Sequence, residues 1–381
     1  MDRLETAGPV KGPVKGPVKG PVKGLVKGRG AVSNRSGRFE RESVEAVDDG
    51  WDIDDSDVAP LRTQVTMETP KKIITRNTSP DIPYDRSINP YKGCEHGCVY
   101  CFARPSHTYM GLSAGLDFES RLFAKPTAAA LLEAEFSKPG YVPQIIQLGA
   151  NTDPYQPVER DLKITRSILK VFARFNHPVS IITKSALITR DMDILAPMAA
   201  RGLAAVGVSV TTLDGKLANK LEPRAPRPDI RLATIRQLTD AGIPAIVMAA
   251  PMIPVLNDAE LENIMQAGVE HGAVAAAYIL LRLPLEIKEL FTEWLKTHVP
   301  DKAAHVLAQV RDTRGGELYR SDFATRMRGT GERAELLAQR FHLARKRLGL
   351  ADARPSERQL DTAQFQVPPM PAKAGDQLAL F

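Results

Sequence analysis

The three cysteines of this 381-residue chain, Cys94, Cys98 and Cys101, all fall within residues 89–101, spaced C-x3-C-x2-C. Clustering of this kind calls for a shared ligand rather than a disulfide framework. Thiolates are soft donors that suit iron–sulfur clusters, zinc or Cu(I). A structural zinc site takes four closed ligands. His96 or His107 would have to supply the fourth, and His96 lies between two of the cysteines, where a ligand loop closes awkwardly. A [4Fe–4S] cluster normally takes four cysteines. Three leave one iron without a protein ligand and free to bind something else.

Tyr100 stands directly before the last cysteine. With that aromatic in place, the stretch resembles the cluster loop of radical SAM enzymes. The resemblance implies that Cys94, Cys98 and Cys101 hold a [4Fe–4S] cluster whose open iron chelates the amino and carboxylate groups of S-adenosylmethionine (SAM), with Tyr100 beside the cofactor. It also implies an outside electron donor such as flavodoxin or ferredoxin. An electron passed into the sulfonium would break the carbon–sulfur bond homolytically. The products are methionine and a 5′-deoxyadenosyl radical that takes a hydrogen atom from substrate. The residues leave one alternative open, a non-catalytic scaffold that binds zinc or a cluster.

The chain is long enough for one large core with appendages or for two domains. Its hydrophobic content of 43% and charged content of 25% fit a soluble globular protein. No apolar run is long enough to span a bilayer and no secretory signal opens the chain. The expectation is a cytoplasmic protein without a membrane partner, in a compartment that keeps thiols reduced. The net charge of +6 permits a nucleic acid or another anionic partner. Much of that excess sits at the N-terminus, where residues 8–23 repeat Gly-Pro-Val-Lys four times. Proline at every fourth residue excludes helix and central strand, and residues 45–57 then turn acidic. Residues 1–65 are expected to be a disordered tail, basic then acidic.

Order is expected from Thr66. Short apolar strand signals at residues 87–91, 144–148, 179–183, 204–210, 245–250 and 274–281 alternate with helical periodicity at 127–136, 159–175, 191–200, 229–241, 258–271 and 284–296. A further strand is expected at 71–75. Unalternating apolar strands argue for a parallel α/β sheet covered by helices. Right-handed crossovers build either an open doubly wound sheet or a barrel, and periodicity does not choose. The resemblance does: it implies a partial (β/α)6 barrel of the radical SAM type over residues 66–300. A helical C-terminal extension at 301–350 and a disordered tail at 351–381 complete the expectation.

In parallel α/β folds, ligands meet the loops at the carboxyl ends of strands. Asn151, Thr152 and Asp153 follow the strand at 144–148 and offer acceptors to an ammonium. Residues 152–159, Thr-Asp-Pro-Tyr-Gln-Pro-Val-Glu, are similar to the spore photoproduct lyase-like branch of the radical SAM superfamily. The resemblance implies contact with the amino group of SAM there; the other reading is a turn shaped by Asp153 before Pro154. Lys184 ends the next strand within reach of a ligand carboxylate. Ser209, Thr211 and Thr212 offer hydroxyls to ribose or carboxylate oxygens. Arg224 is placed to fork a carboxylate or to pair with Glu222. Met252 and Ile253 either face a purine or fill the core. The insert at 104–118 would cover the barrel mouth, with His107, Tyr109 and Asp117 as candidates for substrate or cluster-shell contacts.

Photoproduct lyases rely on a further cysteine as hydrogen donor, and this chain has no fourth cysteine. Repair of that lesion by the same route is not expected. Tyr84, Tyr91, Tyr109 and Tyr155 are the other candidate donors. Modification of RNA, a peptide or a small molecule stays open, and the basic residues at 332–348 lean towards a nucleic acid.

Overall fold

Six parallel strands form the wall of the molecule, and their order in the sheet is their order in the chain. They are β1 (Arg86–Ile88), β2 (Ile146–Leu148), β3 (Val179–Thr183), β4 (Ala204–Ser209), β5 (Ala245–Met252) and β6 (Ala275–Leu280). Each pairs in parallel with the one before it. Helices α1 (Ala128–Phe136), α2 (Ile164–Arg174), α3 (Met192–Ala199), α4 (Pro228–Asp240), α5 (Leu261–Glu270) and α6 (Ile287–His298) follow the strands in turn. A strand order that never reverses puts every crossover helix on one face, which curls the sheet into a barrel wall instead of a doubly wound sheet. The result is a partial (β/α)6 barrel. Its wall ends at an antiparallel strand, Ile74–Arg76, beside β1 and at a short parallel strand, Ala351–Asp352, beside β6. This computed structural model describes residues 26–40, 61–352 and 360–369. The Gly-Pro-Val-Lys repeat and the acidic run lie outside the described residues.

Every position of β4 is buried, as a strand covered on both faces requires. Helix α2 turns Ile164, Ile168, Leu169, Val171 and Phe172 inward. The helix expected over 159–175 is broken at Lys163, whose φ of +53° ends a first turn, Glu159–Leu162. The buried Glu159 carboxylate then caps α2, accepting from the N–H groups of Thr165 at 3.0 Å and Arg166 at 3.4 Å. Beyond the barrel, α7 (Pro300–Asp312) packs on α6, and α8 (Glu332–Arg347) packs on α5 and β6. Arg340 of α8 reaches Glu262 of α5 at 2.7 Å. No described helix is long and apolar enough to cross a membrane.

Two segments assigned to tails by composition lie on the core instead. Residues 26–40 rest against the cysteine loop, as described below. At the other end Leu360 is buried, and Phe365 joins Phe136, Tyr141, Phe175 and His177 in an aromatic cluster. The Gln366 N–H donates to the Phe175 carbonyl at 3.1 Å. One anchoring aromatic holds a segment whose average composition reads as unstructured.

His177 in that cluster gives the fold a pH dependence. Its ring stacks on Phe136 at 4.3 Å between centroids, with Nδ1 3.0 Å from the Pro178 carbonyl and Nε2 2.9 Å from the Tyr141 hydroxyl. The neutral ring satisfies both contacts, donating to the carbonyl and accepting from the hydroxyl. Burial pushes His177 down to about 4, and His107 likewise. A folded-state value below the unfolded one means that protonation favours the unfolded chain. Stability is therefore full above the unfolded value and is lost as pH falls from about 6.5 through 4, by up to about 3 kcal/mol per histidine. Thermal midpoints measured across that window should fall with pH. His177→Gln should lower the midpoint at neutral pH and flatten the fall below it.

Candidate metal centre

The cysteine loop leaves the barrel after β1 and the short strand Tyr91–Lys92. Two left-handed residues shape it, Gly93 at φ +76° and Gly97 at φ +69°. A Cβ on Gly93 would lie 2.7 Å from Leu122 Cδ2, and one on Gly97 would lie 2.9 Å from Glu119 Oε2, so both positions need glycine. Protein groups tie the loop backbone. The Cys94 N–H donates to the Phe118 carbonyl at 2.9 Å and the Val99 N–H to the Leu221 carbonyl at 3.1 Å. Gln156 clamps the loop twice, accepting from the Glu95 N–H at 2.9 Å and donating to the Gly93 carbonyl at 3.1 Å. Arg104 Nε donates to the Cys98 carbonyl at 2.8 Å.

Cys94 and Cys98 are buried and Cys101 is half-buried. Burial pushes all three thiols up. Charge on Cys98 and Cys101 acts on Cys94 in the same sense, as does charge on Cys101 on Cys98. Lys184 works the other way on Cys98 and Cys101, and Arg104 on Cys101. Metal binding takes thiolates, so these two cations favour a loaded site. Among the described residues, no three His, Cys, Asp or Glu side chains converge as ligands of a single ion. In a [4Fe–4S] cluster each cysteine takes a different iron. Three thiols in one loop suit by their chemistry a cluster with three protein ligands, and a closed four-ligand zinc site is not assembled among the described residues. His96 Nδ1 lies 3.3 Å from Asp153 Oδ2. His107 packs edge-on against Phe118 with Nε2 2.9 Å from the Arg121 carbonyl. The buried His107 Nδ1 has no partner among the described residues, but it joins no group of three donors.

Beside Cys98 lies a buried polar group centred on Glu222. Tyr100 donates its hydroxyl to Glu222, Thr211 donates at 2.6 Å, and Lys184 Nζ stands at 3.7 Å. Burial raises the Glu222 carboxyl, against the opposing pull of Arg231, which forms an ion pair with it. Lys184 also lies 5.9 Å from the Tyr100 ring centroid. Burial lowers Lys184, and Cys98 opposes that shift. Tyr100, Lys184 and Thr211 are thus brought together with Cys98. Ser209 is buried close by, its carbonyl accepting from Arg231 at 3.1 Å. The Glu222–Arg224 contact weighed from sequence does not form. Arg231, fully buried in α4, takes Glu222, while Arg224 reaches Glu95 of the cysteine loop at 3.1 Å.

The motif at 152–159 turns most of its side chains inward as braces. Asp153 accepts from the Thr183 hydroxyl at 2.7 Å, the Lys184 N–H at 2.7 Å and the Tyr155 N–H at 2.9 Å. Burial alone would raise its carboxyl, but His96 and these donors overcome that and hold it low. Thr152 donates to the Tyr91 carbonyl at 2.9 Å. Tyr155 donates to Asp191 at 3.1 Å, and Glu159 accepts from Tyr91. The Asn151 side chain is exposed, with its backbone N–H on Asn89 Oδ1 at 2.9 Å. Met252 and Ile253 are fully buried, Tyr109 is exposed, and Asp117 ties the Asn34 side chain to the Ser113 N–H.

Sequence reasoning missed Glu119. Its carboxylate pairs with Arg104 and accepts from the N–H groups of Gly30 at 2.9 Å and Ala31 at 2.8 Å. Residues 29–31 form a strap on the back of the cysteine loop, so close that a Cβ on Gly30 would lie 1.7 Å from the Gly97 carbonyl oxygen. The signal in the chain was the pair Gly28 and Gly30 around Arg29.

The sequence profile of the Radical SAM superfamily matches residues 88–267, from β1 into α5. The chain belongs to the radical SAM superfamily. An uncharacterized protein of Mycobacterium tuberculosis is 34% identical over 222 residues, which are 58% of this chain and 65% of that protein. The match thus spans just under two thirds of the mycobacterial relative. An uncharacterized protein of Methanocaldococcus jannaschii is 30% identical over 190 residues, 50% of this chain and 68% of that one. Spore photoproduct lyase with bound AdoMet and dinucleoside spore photoproduct superposes with a TM-score of 0.55 over 76% of this chain and 81% of that chain, at 14% identity. At that identity the likeness is one of fold, and it places the radical SAM core in the same barrel architecture.

Proposed function

We propose that this radical SAM protein is an enzyme that reductively cleaves SAM at a [4Fe–4S] cluster held by Cys94, Cys98 and Cys101 and turns the resulting radical on a substrate. The observation that carries this reading is the trio of cysteines, spaced C-x3-C-x2-C, in one loop whose backbone is anchored by Phe118, Leu221, Gln156 and Arg104, with no fourth cysteine in the chain. When bound, the reduced cluster supplies the electron that breaks the carbon–sulfur bond of SAM, giving a 5′-deoxyadenosyl radical. The chain's part is to bind, orient and exclude water. Lys184 offers a cation to the SAM carboxylate, since its 3.7 Å approach to Glu222 is loose enough to exchange for a direct ion pair. Asn151 and Ser209 offer polar groups to the amino and ribose ends. Tyr100 is fixed by Glu222 and Thr211, and its ring would line the place offered to the cofactor. Asp153 and Gln156 position the loop and the start of Lys184.

With all three cysteines given to the metal, the hydrogen returned to substrate comes from another donor. The fold likeness to a lyase complexed with dinucleoside spore photoproduct makes nucleic acid the first substrate class to test. A small electron-transfer protein such as a flavodoxin or ferredoxin is the reductant. Anaerobic reconstitution should give about four iron and four sulfide per chain, and SAM with dithionite should then yield 5′-deoxyadenosine. One zinc per chain without sulfide, or a loaded cluster that leaves SAM intact, would overturn the reading.

A further inference from the structure

Arg282 lies two residues past the end of β6, at the carboxyl end of the barrel wall. Its guanidinium lies 5.0 Å from the ring centroid of Phe102, the neighbour of Cys101. A guanidinium carries five N–H donors, and Arg282 turns them only on two uncharged acceptors, a thioether and a hydroxyl. Nη1 stands 3.5 Å from Met327 Sδ and Nη2 3.5 Å from the Tyr319 hydroxyl, and the buried Nε has no partner. No carboxylate among the described residues pairs with it. Behind it, fully buried Arg314 donates to the carbonyls of Leu281 at 2.6 Å and Thr325 at 2.9 Å, and its Nε is also unpartnered. The two guanidiniums repel each other: burial, and then Arg282, push Arg314 down to about 10. Arg328 nearby also has a buried Nη1 without a partner, but its guanidinium lies 4.3 Å from the Tyr278 ring centroid, and other arginines of this part of the chain meet carboxylates. Arg326 forks Asp81 with two contacts of 2.6 Å, Arg333 pairs with Asp258, and Arg340 with Glu262.

We propose that Arg282, backed by Arg314, anchors an oxyanion of the substrate, a phosphate or a carboxylate, beside Cys101 at the barrel mouth. Two close cations with unused donors and no counter-charge are costly to bury. A bound oxyanion supplies both the charge and the acceptors, and a planar fork suits either group. Phe102, 42% exposed, gives the same spot an apolar face for the rest of the ligand. Lys184, assigned above to the SAM carboxylate, follows β3, three strands away around the wall, so the two cations serve different anions. The inference rests on the SAM reading for its substrate, but the anion site itself does not.

The test uses the reconstituted full chain, with inorganic phosphate and acetate titrated at constant ionic strength against potassium chloride. Thermal midpoint and equilibrium dialysis give the affinities. The unaltered protein should bind at least one of the two saturably, and the stronger probe names the oxyanion. Arg282→Gln should weaken that binding about tenfold or more, the worth of a charge-assisted hydrogen bond, and by a larger factor than any change in SAM affinity measured on the same preparation. Arg282→Lys keeps the charge but loses the fork, and should bind several-fold more weakly than arginine. Equal binding by the glutamine variant overturns the proposal, and so does unchanged binding by the lysine variant if the glutamine variant does not fold. A matching loss of SAM affinity overturns it too, by assigning Arg282 to the SAM carboxylate. Arginine-dependent anion binding in a protein that does not cleave SAM would uphold the site and fail the enzyme reading instead.

Discussion

Cys98→Ala protein, reconstituted anaerobically, is expected to lose the [4Fe–4S] signature and to form no detectable 5′-deoxyadenosine from SAM and dithionite. With one thiol gone, two protein ligands remain for a cluster that takes four in its usual form; His96 is held 3.3 Å from Asp153, and His107, though its Nδ1 is unpartnered, joins no group of three donors. The fold itself should survive. Cys98 is held through its carbonyl by Arg104 and sits among Val99, Leu221 and Ile253 in an apolar cluster, where alanine keeps the backbone contacts and leaves only a small void. Circular dichroism and the thermal midpoint of the metal-free protein should therefore stay close to those of the unaltered chain, while iron and sulfide counts collapse. Retained SAM cleavage by the variant would show that Cys98 is not a ligand.

Legibility from sequence followed how local each feature is. Cys94, Cys98 and Cys101 stand out in the sequence because their spacing is contained in eight residues of chain, and the fold keeps them in one anchored loop. The strands of the barrel were legible because each is a short unalternating apolar run, and the barrel itself is decided by strand order, which periodicity does not carry. What stayed hidden depends on helix phase or on partners distant in the chain. Glu222 and Arg224 are near neighbours in sequence, yet the turn into α4 swings Arg231 into the buried position, and two alternative arginines cannot be ranked without that turn. Asp153 has the residue type of a ligand for an ammonium, but its acceptors are taken by Thr183, Lys184 and His96, all from other segments. Arg282 met the same strand-end rule that picked out Lys184. Its interest lies in the partners it lacks, which only the folded chain shows.

Glu119→Ala should be the most damaging substitution outside the cysteines. The side chain is fully buried, and one carboxylate answers three donors from two parts of the chain: Arg104, Gly30 and Ala31. Its removal strands the Arg104 charge in a site with no exposure, at about 3–5 kcal/mol for a broken buried pair. It also leaves two backbone N–H groups unsatisfied, at about 1–3 kcal/mol each, a total that relaxation of residues 29–31 will reduce. The thermal midpoint should fall by roughly 10 °C. The damage reaches the metal site because Arg104 also holds the Cys98 carbonyl and Gly30 lies against Gly97. Iron should therefore leave the reconstituted variant faster when a chelator is added. Arg29→Ala offers the graded comparison. It removes the ties from the strap to the Glu119 and Leu61 carbonyls, at 2.7 and 2.9 Å, but keeps the buried ion pair, so its losses in stability and iron retention should be smaller. If Glu119→Ala keeps iron as long as the unaltered protein does, the strap and the Arg104 pair are not what hold the cysteine loop in its binding shape.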